Sequence, residues 1–258
     1  MNTADLLALA IGGLVSGLMA GLLGIGGGVI LVPLLVTLDY TPIQATATSN
    51  LAIIITSISG SIQNWRMGYF DWRRVIYLGI PAAITAQLGV YLATKSPPYV
   101  LLTLFGILLL TNIYLVQLRN KLASSDNFNA TTAFNPIFAK VATGGAGGLL
   151  AGLFGVGGGV IMVPLQMLLL KEQIKLAIQT SLGVIIITAI SATVRQAHEG
   201  NLLFIQGIVL GCGGLLGAQL STRALPKLPE RTVSLIFRSF LGILSIYIFY
   251  RAWISYQG

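Results

Sequence analysis

Long apolar runs separated by short polar punctuation dominate the chain. Residues 5–38, 43–64, 73–94 and 99–118 form one set of four such stretches, and residues 138–170, 174–196, 202–222 and 232–250 form a second. Most of them approach or reach the roughly 20 apolar residues that a bilayer-spanning helix needs. A soluble core does not require so many in succession, so the pattern predicts an all-α polytopic membrane protein.

The first stretch of each set is too long. At 1.5 Å per residue, residues 5–38 would make a helix of about 50 Å, against a hydrocarbon core of about 30 Å. The stretch must therefore break. Gly24, Gly26, Gly27 and Gly28 lie near its middle and Pro33 follows within two turns. That placement predicts a long helix, a short unwound or re-entrant segment and a half-helix.

Self-comparison shows why the pattern recurs. Gly21-Leu-Leu-Gly-Ile-Gly-Gly-Gly-Val-Ile-Leu-Val-Pro-Leu34 aligns with Gly152-Leu-Phe-Gly-Val-Gly-Gly-Gly-Val-Ile-Met-Val-Pro-Leu165, identical at 11 of 14 positions. After a gain of one residue the match continues through Thr48/Thr180, Ser49/Ser181, Thr56/Thr188, Ser59/Ser191 and Gln87/Gln219. The chain thus reads as two repeats, 1–120 and 137–258, joined by a polar linker over 121–136 that carries Ser124, Ser125, Asp126, Asn127 and Asn129.

Loop charges orient the repeats, since Lys and Arg collect on the cytoplasmic side. If every stretch crosses once, one face of the first repeat carries Arg66, Arg73, Arg74, Arg119 and Lys121 against Lys95 alone. In the second repeat the corresponding face carries Arg195 and Arg251, while Lys171, Lys175, Arg223, Lys227 and Arg231 lie opposite. The bias reverses. Opposed halves need an odd number of crossings each, which a broken first stretch plus three spanning helices can supply. The expectation is two inverted-topology repeats with the glycine segments at membrane depth.

Composition agrees with this class. Of 258 residues 55% are hydrophobic and 9% charged, and the mean hydropathy is +0.86. Every acidic residue falls at or beyond the end of an apolar run, as a bilayer enforces. The net charge of +8 sits mostly in connections and forms no basic stripe, so it reads as lipid-facing and topology-setting, with no nucleic-acid partner. Met1 to Asp5 lacks a basic n-region, which argues against a removable signal peptide. The lone Cys212 reads as a small packing residue, and the lone His198 as interfacial.

Candidate chemistry centres on the breaks. An unwound glycine segment inside lipid must be buried in protein or line a wet cavity, and the half-helix after it aims free N–H groups and a positive dipole end back at the break. Gly26, Gly27, Gly28, Gly157, Gly158 and Gly159 are therefore candidate anion-binding positions. The alternative is that these glycines only permit tight helix packing. Thr48, Ser49, Asn50, Thr180 and Ser181 could donate hydrogen bonds to substrate oxygens, or bond back to their own helices. Gln87 and Gln219 occupy equivalent mid-span positions and read equally as interhelical glue or as substrate contacts. Arg238 reads as a snorkelling cation or a counter-charge. No metal, cofactor or catalytic set is expected, because no His, Cys or carboxylate cluster falls inside the spans and the glycine block lacks the endings of nucleotide loops.

The doubled glycine block, the following Ala45-Thr-Ala-Thr-Ser-Asn-Leu51 and Ala177-Ile-Gln-Thr-Ser-Leu-Gly183, and Gly217-Ala-Gln-Leu220 together resemble the sulfite exporter TauE/SafE family of membrane permeases. The resemblance covers nearly the whole chain. It implies a plasma-membrane transporter of small sulfur-containing anions such as sulfite, thiosulfate or organosulfonates. The expected partners are then a small-molecule anion and the lipid bilayer, with a homodimer as one allowed assembly. An anion channel or a membrane scaffold subunit is the alternative. If the repeats are inverted, Cys introduced at Asp39 and Glu172, which follow the first long stretch of each repeat, will label with an impermeant thiol reagent from opposite sides of the membrane; labelling from the same side would refute the inversion.

Overall fold

In the computed structural model, which describes residues 3–123 and 136–257, the first long stretch is broken where the glycines lie. Helix α1 runs Thr3–Leu23 and α2 is the half-helix Gly28–Thr37. Helices α3 (Pro42–Arg66), α4 (Trp72–Lys95) and α5 (Pro98–Ala123) follow. The second set repeats the order as α6 (Pro136–Phe154), α7 (Gly159–Leu169), α8 (Ile174–His198), α9 (Phe204–Ala224) and α10 (Glu230–Gln257). Among the described residues, seven helices are long and apolar enough to cross a membrane, and α5 adds a shorter apolar stretch, Tyr99–Leu115. The protein is an all-α polytopic membrane protein. Most of the sequence-predicted linker, residues 124–135, lies outside the described residues.

Local chemistry sets the helix ends. Thr41 caps α3 by accepting from the Gln44 N–H while the Gln44 side chain accepts from the Thr41 N–H, and Pro42 occupies the first helical position. Asp71 caps α4 through the N–H groups of Arg73 and Arg74. The half-helices are 10 and 11 residues long, about 15 Å each, so neither can cross a core of about 30 Å. Arg251 on α10 donates to the Val36 carbonyl at 2.9 Å, placing a cation on the C-terminal end of α2.

Packing exchanges helices between the two sets. Helix α1 lies against α9 and α6 lies against α4, while α3 packs on both α8 and α9 and α8 on both α3 and α4. Each pairing has its repeat counterpart. The α1–α9 and α6–α4 contacts are made by small residues: a Cβ on Gly17 would sit 2.7 Å from Gly214 Cα, and one on Gly148 2.5 Å from Ala82 Cα. Backbone meets backbone there, which in lipid substitutes dispersion for the absent hydrophobic drive. Cys212 is exposed on α9 and not packed between helices, contrary to the small-packing-residue expectation.

These contacts predict a position-specific cost. Gly148→Ala would drive a methyl into α4 backbone and lower the thermal midpoint of the purified protein. Gly145→Ala, whose methyl would meet only Thr85 Cγ2 at 3.7 Å, should be neutral or stabilising by about 0.5–1 kcal/mol from helix propensity. Equal midpoints for the two variants would contradict the close-packed interface.

Candidate functional site

The two breaks lie against each other in the middle of the bundle. Residues 23–29 and 154–160 are all buried. Gly24, Gly26 and Gly27 take φ values of 68°, 76° and 88°, and Gly155, Gly157 and Gly158 take 65°, 78° and 79°. The two segments therefore have nearly one conformation, in a left-handed region that costs an L side chain roughly 1–2 kcal/mol per residue. Gly27 and Gly158 serve as N-caps of the half-helices, with no side-chain cap.

Approach between the segments also demands glycine. A Cβ on Gly28 would stand 2.7 Å from Val156 Cα, and one on Gly159 would run into the carbonyl of Gly24. The N-terminus of each half-helix thus abuts the other break. Ile53 of α3 and Ile185 of α8, which are repeat equivalents, close over both: a Cβ on Gly26 would be 3.1 Å from a methyl of each. Both isoleucines are fully buried.

Hydroxyls hold the carbonyl ends of the breaks. Ser49 Oγ donates to the Gly155 carbonyl and Ser181 Oγ to the Gly24 carbonyl, each at 2.8 Å, so each serine bridges to the opposite repeat. Ser16 Oγ donates to the Gly27 carbonyl at 2.9 Å, and Thr188 reaches Gly157 at 3.4 Å. The amide ends are treated differently. Apart from Gly24 to Ala20 and Gly155 to Ala151, donation begins again only at Ile30 and Leu31 to Gly27 and at Met162 to Gly158. The N–H groups of residues 25–28 and 156–159 donate to no carbonyl among the described residues. Two sets of buried, unspent donors and two helix N-termini converge, an arrangement that favours negative charge.

The other predicted residues fall into three groups. Asn50 is fully buried on the α3 face that also carries Thr46, which touches Gly155, and Ile53, and neither of its amide atoms has a partner. Thr48 accepts from the Leu203 N–H at the α8–α9 connection, away from the breaks, and Thr180 is buried in the equivalent part of α8. Gln87 donates to the carbonyl and hydroxyl of Ser191, and Gln219 to the Ser59 carbonyl, so both join α4 to α8 and α9 to α3 as interhelical links. Arg238 lies part-buried in α10, its Nε without a partner.

Sequence reasoning passed over Ser16, whose repeat equivalent is Gly147, and the Ile53/Ile185 pair, which the repeat alignment contains. It also missed two cross-repeat latches. Arg74 Nη1 bonds Glu172 Oε1 at 3.0 Å, and Gln206 Nε2 meets Tyr40 Oη at 3.3 Å. Burial pushes the Glu172 carboxyl above its ordinary range, with Arg74 and then Lys140 opposing that shift.

Comparison with known proteins decides the class. The profile described as "Sulfite exporter TauE/SafE" matches residues 9–248. The chain belongs to the sulfite exporter TauE/SafE family. Within the curated relatives of this TauE/SafE protein, "Probable membrane transporter protein YunE" of Bacillus subtilis is 26% identical over 92% of this chain and 95% of its own length. "Probable membrane transporter protein MJ0441" of Methanocaldococcus jannaschii is 26% identical over 93% of each. A "Probable membrane transporter protein" of Xylella fastidiosa is 28% identical over 95% of this chain and 94% of its own. No solved structure matches. The TauE/SafE chain is thus a multi-pass membrane transporter of the plasma membrane.

Loss of either bridging serine leaves a buried carbonyl unpaired. Ser49→Ala and Ser181→Ala should each cost about 1–3 kcal/mol, read as a fall of the thermal midpoint of about 2–4 °C per kcal/mol. Unchanged midpoints in both variants would show that the bridges carry no load.

Proposed function

We propose that this chain is a permease or exporter of small sulfur-containing anions, such as sulfite, thiosulfate or organosulfonates, working by alternating access around a site at the crossed breaks. Gly26, Gly27, Gly28, Gly157, Gly158 and Gly159 supply backbone donors, and Asn50 stands beside them. Ser49 and Ser181 act by holding the carbonyls away. The observation that carries this reading is the separation of backbone ends: carbonyls are consumed by hydroxyls while amides stay free and buried. An oxyanion accepts several N–H bonds at once and gains from both half-helix dipoles. The family's description names sulfite.

Inverted repeats over 1–120 and 137–258 complete the proposal. The contact of Tyr40 with Gln206 lies at the start of α3, and that of Arg74 with Glu172 beyond its end. A 25-residue helix, about 37 Å, separates the two latches. Loops that are repeat equivalents therefore meet opposite ends of α3, which supports opposed orientations and two faces to open in turn. Among the described residues no carboxylate sits beside the breaks, so coupling to protons needs the solute's own titration or another route.

Reconstituted protein should exchange sulfite, thiosulfate or a sulfonate across liposomes in a saturable manner stimulated by counter-substrate. Gly27→Leu and Gly158→Leu should insert normally and lower flux to background. Flux equal to the parent in either variant would remove the breaks from the mechanism, and non-saturable flux would favour an anion channel.

A further inference from the structure

One face of α3 carries Asn50, Ser57, Ser61 and Asn64, at intervals of seven, four and three residues. A helix of about 3.6 residues per turn brings these onto one stripe. Asn50, Ser57 and Asn64 are fully buried and Ser61 is 5% exposed. Both amide atoms of each asparagine, and both hydroxyls, find no hydrogen-bond partner in the protein. The usual outlet in a membrane helix is a bond to the preceding turn, which Thr56, Thr85, Thr103 and Thr111 all make. The stripe does not use it.

The same face reaches the breaks and follows a helix seam. Thr46 touches Gly155, Ile53 touches Gly26 and Gly157, and Gly60 faces Leu182 of α8 and Thr222 of α9. The Thr222 hydroxyl is also buried and unpartnered. As α3 advances from Ile53 to Gly60, its neighbour on α8 retreats from Ile185 to Leu182. The two helices therefore run in opposite senses, which carries Thr193 and Gln196 of α8 toward the Asn50 end. Both are buried, and Thr193 Oγ1 and Gln196 Nε2 lack partners. From Asn50 to Asn64 the stripe spans about 21 Å, most of a bilayer core.

The fold itself does not ask for a polar group at Asn50 or Ser57, whose repeat equivalents are Leu182 and Ala189, whereas Ser61 and Asn64 have the polar equivalents Thr193 and Gln196. An orphaned buried polar group is destabilising, and here several sit in a row. We propose that the stripe is one wall of a hydrated conduit, along which a small oxyanion passes between the crossed breaks and the Asn64 end of α3, neutral amides and hydroxyls replacing its water shell. The identity of the anion rests on the function proposed above. The wetness of the stripe does not.

Single cysteines placed in a full-length Cys212→Ala background test the conduit in proteoliposomes with a small charged methanethiosulfonate reagent. Ser57→Cys and Ser61→Cys should react at least tenfold faster than Ala52→Cys, which points from the same helix into an apolar cluster with Leu31 and Leu35. Tyr69→Cys, 45% exposed in the α3–α4 connection, serves as the accessible control. Asn50→Leu should leave the thermal midpoint close to the parent's, because water already satisfies the amide it removes, while lowering anion flux at least tenfold. If Ser57→Cys and Ser61→Cys are as inert as Ala52→Cys while Tyr69→Cys reacts, or if Asn50→Leu leaves flux at the parent's level, the conduit is refuted. Unreactive methanesulfonate should slow labelling at Ser57→Cys. Labelling without that protection keeps the conduit and counts against the sulfur-anion reading alone.

Discussion

A peptide unit in hydrocarbon has no water to turn to, so every interruption of a membrane helix must be buried in protein or line a polar cavity. This protein interrupts two helices where they touch and lets the interruptions serve each other. Glycine is needed at both because the chains touch through backbone, Gly28 on Val156 and Gly159 on Gly24. Serines from α3 and α8 cross to the far break and take up its carbonyl. Remove the mutual burial and neither break is tolerable alone.

Symmetry is close at this centre and fades outward. The φ angles of matched glycines agree within about ten degrees, and the bridging serines have equal bond lengths. At the ends the counterparts diverge. Arg74 and Gln206 are repeat equivalents, as are Glu172 and Tyr40, yet one latch is an ion pair and the other a neutral contact. The seam between α3 and α8 diverges too, with amides and hydroxyls on one helix facing a largely aliphatic middle on the other. The two matching sets thus keep their backbone geometry common at the breaks while their side chains differ toward the helix ends.

Much of this was legible in the sequence. Hydrophobic run length and the glycine block located both breaks within a residue or two, because lipid thickness and backbone bonding leave little freedom. The roles of Ser49 and Ser181 were harder to read. Their position near the breaks is local, but their acceptors lie 106 and 157 residues away, and no pattern along one chain reports such a distance. Gln87 and Gln219 bond across helices for the same reason. The latches escaped notice because equivalent residues differ in chemistry, so a comparison of repeats discards them as mismatches.

Helix α1 finds its main neighbour in α9, some two hundred residues further along. During synthesis the Gly13, Gly17 and Gly21 face of the first helix therefore lacks its partner until α9 has been made, although α2 and α3 can already pack on other faces of it. The partner of α4 arrives sooner, since α6 begins the second set. Assembly is consequently staggered, with one half of the pseudo-symmetric pair closing well before the other, and a ribosome that stalls after α8 leaves α1 without the surface it was shaped to meet.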